Sequence, residues 1–403
     1  ELKTVSFGGP YTIEVSEGNE KVTIKNVLLG EVWLCSGQSN MEMPLKGFQG
    51  QPVKNGNEII VRSTNKNIRL ITIPRATVLE PKDDFEGKWE EASPKSTSNF
   101  SATAWYFGSL LQEVLNVPVG LIHVSYGGSS MEAWMNQEML KDFASAKIPT
   151  TKEELAKDPN RVPTTLFNGM LSPVIGYGIK GCIWYQGESN ADRADQYRTL
   201  FPTMIKDWRQ KWGQGDFPFY FVQLANYMQI DQKPTASAWA ELREAQQKTL
   251  ALPNTGMATI IDIGDAKDIH PKNKQEVGRR LALIALAKTY GQKINYSGPI
   301  YQSNKIEGKQ IILSFGNSQN GLKTADGAAP TGFAIAGADQ KFYWAKASIK
   351  GNQIIVSNDQ VANPVAVRYA WGNNPVCNLV SNDGLPASPF RTDAWPGITF
   401  GKK

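Results

Sequence analysis

Buried strands alternate with helical segments between residues 27 and 290 of this 403-residue chain, and this alternation constrains the fold more than any other feature. A polar stretch, residues 76–100, interrupts it and is predicted as a long loop. Strand–loop–helix units in this order predict an α/β fold, with a mostly parallel sheet and helices on both faces. Apolar runs typical of buried strands lie at residues 27–34, 68–73, 117–125, 179–185, 217–224 and 257–263. Helical spacing of apolar residues occurs at 101–116, 131–140, 190–212, 237–252 and 272–290.

The period of the apolar residues changes to two beyond residue 295. Apolar triplets there are separated by Gly, Asn and Asp turns, which predicts a small C-terminal antiparallel domain, a sandwich. The triplets lie at residues 311–313, 333–335, 342–344, 354–356 and 365–367.

The first residues predict a β-hairpin. Alternating apolar residues at 11–15 and 21–24 flank a turn at 17–19. Because a hairpin is only marginally stable by itself, we expect it to pack on something else, or to belong to a module that begins further upstream. We therefore predict an N-terminal β segment, an α/β domain and a C-terminal β-rich domain, at residues 1–32, 33–294 and 295–403.

Composition and charge exclude several classes of protein. A net charge of +5 without a long Lys/Arg block does not suggest nucleic-acid binding. No apolar run approaches the ~20 residues of a membrane span. The first residues, Glu-Leu-Lys-Thr, are not a leader, so the protein is either cytosolic or has lost its leader. Cys35, Cys182 and Cys377 are far apart and predict neither a disulfide framework nor a zinc site. We expect no metal and no cofactor, and the oligomeric state is not predicted.

The apolar run that begins at residue 27 ends abruptly in Gly37-Gln38-Ser39-Asn40. A buried strand with this ending delivers one hydroxyl to the edge of a sheet, since Gly37 lets the backbone turn without a side chain. The alternative is an ordinary Ser/Asn turn that closes the strand.

Three further segments also follow predicted strands: residues 127–128, 186–188 and 268–270. The carboxyl ends of parallel strands lie along one edge, so these segments and Ser39 can meet. Each has a simpler explanation as a turn or a helix cap, but four such segments on one sheet are much less expected by accident.

Together these segments supply what acyl transfer from an ester requires. Ser39 offers a hydroxyl as nucleophile, and His270 can take its proton and return it to the leaving alcohol. The other histidine, His123, lies in the middle of a predicted strand and is expected to be a hydrogen-bonded core residue.

Two carboxylates compete to orient the imidazole of His270. Glu188 comes from a different loop, whereas Asp268 lies two residues before His270 and points the same way in an extended loop. The residues themselves do not decide between them. Candidate oxyanion donors are the backbone N–H of Ser39, the N–H of Gly128 (or Gly127) and the side-chain amide of Gln186.

At these residues the chain resembles the sialate O-acetylesterases, which are SGNH-type hydrolases related to acetylxylan esterases. The resemblance covers about residues 20–400 and is carried by residues 37–41 (Gly-Gln-Ser-Asn-Met), 184–190 (Trp-Tyr-Gln-Gly-Glu-Ser-Asn) and 268–271 (Asp-Ile-His-Pro). It implies a three-layer α/β/α domain that removes acetyl groups from sugar hydroxyls without a metal.

The resemblance also implies roles for individual residues. Ser39 matches the nucleophile, His270 the base, and Gly128 and Gln186 the oxyanion donors, with Gln186 where many relatives carry Asn. The Glu of the Gln-Gly-Glu motif is the acid in related acetylxylan esterases, which favours Glu188. The wider superfamily uses an Asp three residues before the histidine, and Lys267 occupies that position here.

The implied function is hydrolysis of O-acetyl esters on sugars, with a sialate 9-O-acetyl ester as the expected substrate. The alternatives are an acetylxylan or other polysaccharide acetylesterase, or a glycan-binding protein without catalysis. A sialate site needs a cation for the carboxylate, and Arg62, Arg75 and Arg193 lie near the motifs; the sequence does not choose among them, and the alternative for each is a surface role. Residues 1–32 resemble the end of the β-sandwich domain of relatives. Because relatives are commonly exported or lysosomal, we expect a periplasmic, extracellular or lysosomal protein.

Overall fold

A computed structural model describes residues 6–318 and 321–403 of the chain. The predicted N-terminal hairpin is confirmed as strands β1 (Gly8–Glu17) and β2 (Glu20–Leu29), which form a two-stranded antiparallel sheet. One face of this hairpin carries exposed apolar side chains, including Val15, Val22 and Ile24. Residues 1–5, which belong to the predicted N-terminal segment, lie outside the described residues.

A mostly parallel sheet forms the centre of the α/β domain. Its strand order is β5-β4-β6-β3-β7-β8-β9, and β5 is the antiparallel edge strand. Its strands are β3 (Glu31–Gly37), β4 (Asn65–Thr72), β5 (Glu90–Ala92), β6 (Val119–Ser125), β7 (Gly181–Tyr185), β8 (Phe219–Val222) and β9 (Thr255–Ala258). The strand β3 is paired on both sides, so the end of β3 lies in the middle of the carboxyl edge.

The α-helices of the described residues are α1 (Ser39–Glu42), α2 (Gly56–Val61), α3 (Pro94–Ser98), α4 (Ala102–Leu115), α5 (Gln137–Leu140), α6 (Ala194–Trp212), α7 (Ala238–Lys248) and α8 (Lys274–Lys288). Helices α4 and α8 pack together on one face of the sheet, and α6 and α7 on the other. Side chains of β3 alternate between the two cores: Trp33 and Cys35 contribute to the first and Leu34 to the second. The predicted α/β architecture with helices on both faces is therefore confirmed.

The C-terminal region is an antiparallel β domain, as predicted from the period of two. Its two larger sheets have the orders β10-β11-β16-β15 and β14-β13-β17-β19 and share one apolar core. The strands are β10 (Ile300–Glu307), β11 (Gln310–Gly316), β12 (Leu322–Thr324), β13 (Phe333–Ala336), β14 (Phe342–Trp344), β15 (Lys346–Lys350), β16 (Gln353–Ser357), β17 (Ala366–Tyr369), β18 (Leu379–Ser381) and β19 (Phe390–Arg391).

The C-terminal domain is joined to the α/β domain by Arg243 of α7, which is fully buried. Its guanidinium donates hydrogen bonds to the carbonyls of Leu224 and Ala225 after β8. It also donates to those of Gly372 and Asn373 in the C-terminal domain. Because a buried cation needs its donors satisfied, these four carbonyls fix the two domains to each other at this point.

Three local predictions differ from the structure. Residues 131–140 form a 3-10 turn (Met131–Trp134) and the short helix α5, because the Asn136 side chain caps a new helix by accepting from the N–H of Met139. The predicted loop 76–100 contains β5 and α3. Strand β9 ends at Ala258, earlier than predicted. The domain boundaries stay predictions.

None of the helices in residues 6–318 and 321–403 has the length and apolar character to cross a membrane.

We expect Leu34→Ala to lower the free energy of unfolding by about 2–5 kcal/mol, because Leu34 is fully buried in the central strand and its loss leaves a cavity. Urea unfolding measures this. The matched control is Val15→Ala on the exposed face of the hairpin, for which a change within about 0.5 kcal/mol is expected. Equal stabilities of the two variants would contradict this placement of β3.

Candidate active site

Ser39 lies at the carboxyl end of β3, where the chain turns sharply into α1. Gly37 has φ +142°, and a Cβ at this position would lie 2.2 Å from the carbonyl oxygen of Tyr185 in the neighbouring strand β7. The N–H of Gln38 donates to the same carbonyl at 2.9 Å. A side chain at residue 37 would break this close approach, so glycine is required for Ser39 to emerge at the edge of the sheet.

The hydroxyl of Ser39 is within hydrogen-bonding distance of His270, which lies in the loop between β9 and α8. The distance between Ser39 Oγ and His270 Nε2 is 3.0 Å. This is the separation that a nucleophile and its general base need before reaction.

Of the two candidate carboxylates, the structure places Asp268 against the imidazole. Asp268 Oδ1 lies 3.2 Å from His270 Nδ1 and accepts the backbone N–H of His270 at 2.9 Å. The same oxygen accepts from Gln51 Nε2 at 3.1 Å. Three donors therefore converge on one carboxylate oxygen and hold it at the ring nitrogen that faces away from Ser39.

Glu188, which the resemblance favoured, does not contact His270. Its Oε1 accepts from Asn40 Nδ2 at 2.7 Å, and its Oε2 is buried without a hydrogen-bond partner among the described residues. Burial raises the pKa of Glu188. Asn40, the residue directly after Ser39, therefore binds Glu188, the carboxylate that the resemblance favoured as the partner of His270.

Two backbone N–H groups near Ser39 are open. Those of Ser39 and Gly128 have no acceptor among the described residues. Gly127 packs on the serine, since a Cβ there would lie 3.4 Å from Ser39 Cβ, and its own N–H donates to Glu42. Of the two glycines, Gly128 is therefore the one with a donor available for an oxyanion.

The side chain of Gln186 is not brought to this site. It is fully buried, and its Nε2 donates to the Ser129 carbonyl at 3.2 Å and to Asn190 Oδ1 at 2.8 Å. Its Oε1 accepts from Tyr197. Both ends of the amide are engaged in the interior, so the structure does not place Gln186 as an oxyanion donor. The sequence could not show this, because the direction of the Gln186 side chain depends on how Ser129, Asn190 and Tyr197 pack around it in the fold.

Burial lowers the pKa of His270, and the charge of Lys274 lowers it further, whereas Asp268 raises it. The ring of Phe48 lies edge-on to the imidazole, with 5.5 Å between ring centres. A lowered pKa keeps the imidazole neutral near pH 7, which is the form that accepts the proton of a serine.

His123 is the core residue that was expected. It is 4% exposed, its Nε2 lies 2.5 Å from Ser125 Oγ, and burial lowers its pKa to about 4. Its ring nitrogens contact Thr72 and Ser125, and no hydrogen bond among the described residues joins it to Ser39 or His270.

The three arginines named from the sequence have different surroundings. Arg75 is half-exposed, pairs with Glu42 and lies 4.5 Å above the ring of Tyr126. Arg193 pairs with the buried Glu132. Arg62 lies at the end of α2 in a groove against α4. Arg75 is connected to Ser39 through Glu42. The carboxylate of Glu42 also accepts a hydrogen bond from the N–H of Gly127, and Gly127 packs on the serine.

Sequence reasoning gave no role to Gln51, Asn40 and Lys274. Gln51 follows two glycines in a loop whose course a sequence pattern does not define. Asn40 was visible only as part of the serine motif. Lys274, at the start of α8, belongs to none of the motifs, and it is fully buried.

The described residues contain no group of three or more His, Cys, Asp or Glu side chains placed to hold a metal ion.

Comparison with known proteins identifies the family of the chain. Residues 29–287 match the family model described as carbohydrate esterase, sialic acid-specific acetylesterase. The chain belongs to this carbohydrate esterase family. The predicted resemblance is thereby confirmed at the level of the family.

Similarity to other proteins extends over nearly the whole chain. The sialate O-acetylesterase of Mus musculus is 30% identical over 96% of this chain and 83% of its own length. That of Homo sapiens is 29% identical over 98% of this chain and 82% of its own length. The crystal structure of a carbohydrate acetylesterase from Xanthomonas citri is 40% identical, with a TM-score of 0.89 over 98% of this chain and 88% of that chain.

Within this carbohydrate esterase, Asp268→Asn and Glu188→Gln test which carboxylate supports the histidine. We expect Asp268→Asn to lower kcat on p-nitrophenyl acetate by about 10³–10⁴-fold, because the amide favours the wrong imidazole tautomer. Glu188→Gln keeps an acceptor for Asn40 and removes a charge that makes no hydrogen bond to His270, so it is expected to cost no more than about tenfold. The reverse order of losses would contradict the assignment of Asp268 as the carboxylate that supports His270.

Proposed function

We propose that the protein hydrolyses O-acetyl esters on sugars through a serine-bound acetyl-enzyme. The proposal rests on the 3.0 Å contact between Ser39 Oγ and His270 Nε2, with Asp268 on the opposite ring nitrogen. Membership of the carbohydrate esterase family supports an acetylated sugar as the substrate.

In the first step, Ser39 Oγ attacks the acetyl carbonyl carbon while its proton passes to His270 Nε2. The negative oxygen of the tetrahedral intermediate takes the open N–H groups of Ser39 and Gly128, and each such donor is worth roughly 3–4 kcal/mol. Asp268 stabilises the imidazolium through Nδ1. The C–O bond to the sugar then breaks, His270 returns the proton to the sugar oxygen, and Ser39 carries the acetyl group.

In the second step, a water molecule gives a proton to His270 and attacks the acetyl carbon. The intermediate collapses with release of acetate, and the proton on His270 returns to Ser39 Oγ. The two steps together consume one ester and one water molecule and release the sugar alcohol and acetic acid, with Ser39 as the proposed nucleophile and His270 as the proposed base.

For the sugar itself, the names of the mammalian relatives support an O-acetylated sialic acid, and the 9-O-acetyl ester is the first candidate of this proposal. The relative from Xanthomonas citri, which is 40% identical, is named only as a carbohydrate acetylesterase, so an acetylxylan or other polysaccharide ester stays the second candidate of this proposal. For a sialate, Arg75 is the residue available to meet the carboxylate, because it is half-exposed beside Glu42. An exported location is part of the same proposal.

A glycan-binding protein without catalysis is the weaker alternative. Binding alone has no use for a serine and a histidine held at hydrogen-bonding distance, with a carboxylate behind the histidine. Covalent labelling of Ser39 by an organophosphate separates the two functions, since a binding protein would stay unlabelled.

Ser39→Ala and His270→Ala are each expected to abolish hydrolysis of p-nitrophenyl acetate without unfolding the protein, because each removes a group that forms or breaks bonds. The matched control is Ser36→Ala, three residues earlier in β3. Its hydroxyl is buried without a hydrogen-bond partner, so activity should be retained. Near-normal turnover in the Ser39 or the His270 variant would overturn the mechanism.

Release of acetate from 9-O-acetylsialic acid and from acetylated xylan decides the substrate. If the sialate is the substrate, Arg75→Gln should raise KM for the sialate by about tenfold or more, because it removes a charge-assisted bond, and leave p-nitrophenyl acetate unaffected. Arg62→Gln, outside the site, serves as control. Faster release from xylan, with no effect of Arg75→Gln, would exclude the sialate.

A further inference from the structure

Lys274 is a buried cation directly behind the catalytic groups. It is the first residue of α8 and is fully buried. Its Nζ donates to Asn40 Oδ1 and lies 5.5 Å from the centre of the Tyr185 ring. Burial of a charged lysine costs free energy unless the charge is paired and hydrogen-bonded. The position of Lys274 therefore indicates a specific role.

Asn40 connects the two loops that carry the nucleophile and the base. Its Oδ1 accepts from Lys274, so its Nδ2 must serve as the donor on the other side. That nitrogen donates to Glu188 Oε1 at 2.7 Å and to the carbonyl of Ile269 at 3.1 Å. Asn40 follows Ser39 and Ile269 precedes His270, so a single amide ties the serine loop to the histidine loop.

The charged groups around His270 come from three elements. Burial lowers the pKa of Lys274 to about 7, and the carboxylates of Glu188 and Asp268 oppose this. The charge of Lys274 disfavours the imidazolium of His270, and Asp268 favours it.

The other neighbours of the imidazole are uncharged. Ser39 and Phe48 contact the ring, and Gln51 contacts Asp268. The titratable groups that face His270 and Lys274 are Asp268 of the same loop, Glu188 after β7, and the Tyr185 phenol of β7.

We propose that Lys274 and Asn40 are positioning residues: Asn40 holds Ser39 and His270 in register, and the buried charge of Lys274 keeps His270 in its neutral, proton-accepting form. Glu188 is then the counter-charge of Lys274, held by the same amide. This role rests on the proposed function, because it assigns His270 as the base.

In the part of the chain that the structure describes, Lys274 makes its hydrogen bond to Asn40 and none to Ser39 or His270, so its effect must pass through Asn40 and through charge. Removal of the charge makes protonation of His270 easier and raises its pKa. The acidic limb of the pH profile of kcat/KM reports that pKa in the free enzyme, so the limb should move to higher pH. Loss of packing alone would lower activity without moving the limb.

The test compares Lys274→Met with Lys274→Gln, since the glutamine amide can still donate to Asn40 and the methionine cannot. We expect the acidic limb to move up by about half a pH unit or more in both variants. We expect kcat to fall more in Lys274→Met, because Asn40 loses its donor. The matched control is Lys288→Met, at the other end of the same helix, for which no displacement of the limb is expected.

An NMR titration of the histidine rings keeps this test independent of activity. The sequence has two histidines, so His270→Ala assigns the signals. The pKa of His270 should rise in both Lys274 variants, even if wild-type protein releases no acetate and the esterase proposal itself fails. An unmoved pKa in folded variants would overturn the role of the charge. Failure of both variants to fold would also overturn it, since Lys274 would then serve stability.

Discussion

The structure depends on the contact between the end of β3 and the strand beside it. At Gly37 the backbone passes so close to Tyr185 that no side chain fits, and the chain then turns into α1. This places the hydroxyl of Ser39 at the middle of the carboxyl edge. The segment with Gly127 and Gly128 follows the neighbouring strand β6 and reaches the same edge. Parallel pairing therefore assembles the site, because every strand of the central group ends on one side.

His270 reaches this edge from 231 positions further along the chain, and its loop is held by hydrogen bonds at several points. Asp268 fixes the ring, Gln51 fixes Asp268, and Asn40 fixes the carbonyl just before the histidine. Ser39 and His270 can share a proton only at hydrogen-bonding distance. A loop keeps its histidine at that distance only when other segments constrain the loop. The site is thus a property of four segments together.

Much of the fold was predictable, because the spacing of apolar residues along the chain reflects which face of each strand or helix is buried. The order of strands and helices, the hairpin and the antiparallel C-terminal region all follow from apolar spacing. The differences arose where short-range hydrogen bonds compete with periodicity, as at Asn136, which starts a new helix inside a predicted one. Similarly, β5 and α3 occur in a polar stretch without a clear period.

The sequence by itself determined the α/β class, because the spacing of apolar residues is a local pattern. Its short motifs determined the resemblance to the esterase family and the candidates Ser39, His270, Glu188 and Asp268. Only the tertiary structure decided which carboxylate meets the imidazole, that Gln186 faces the interior, and that Lys274 is buried behind the site. Those facts depend on distances between segments that are far apart in the chain. Spacing along a sequence carries no information on such distances until the sheet brings the segments together.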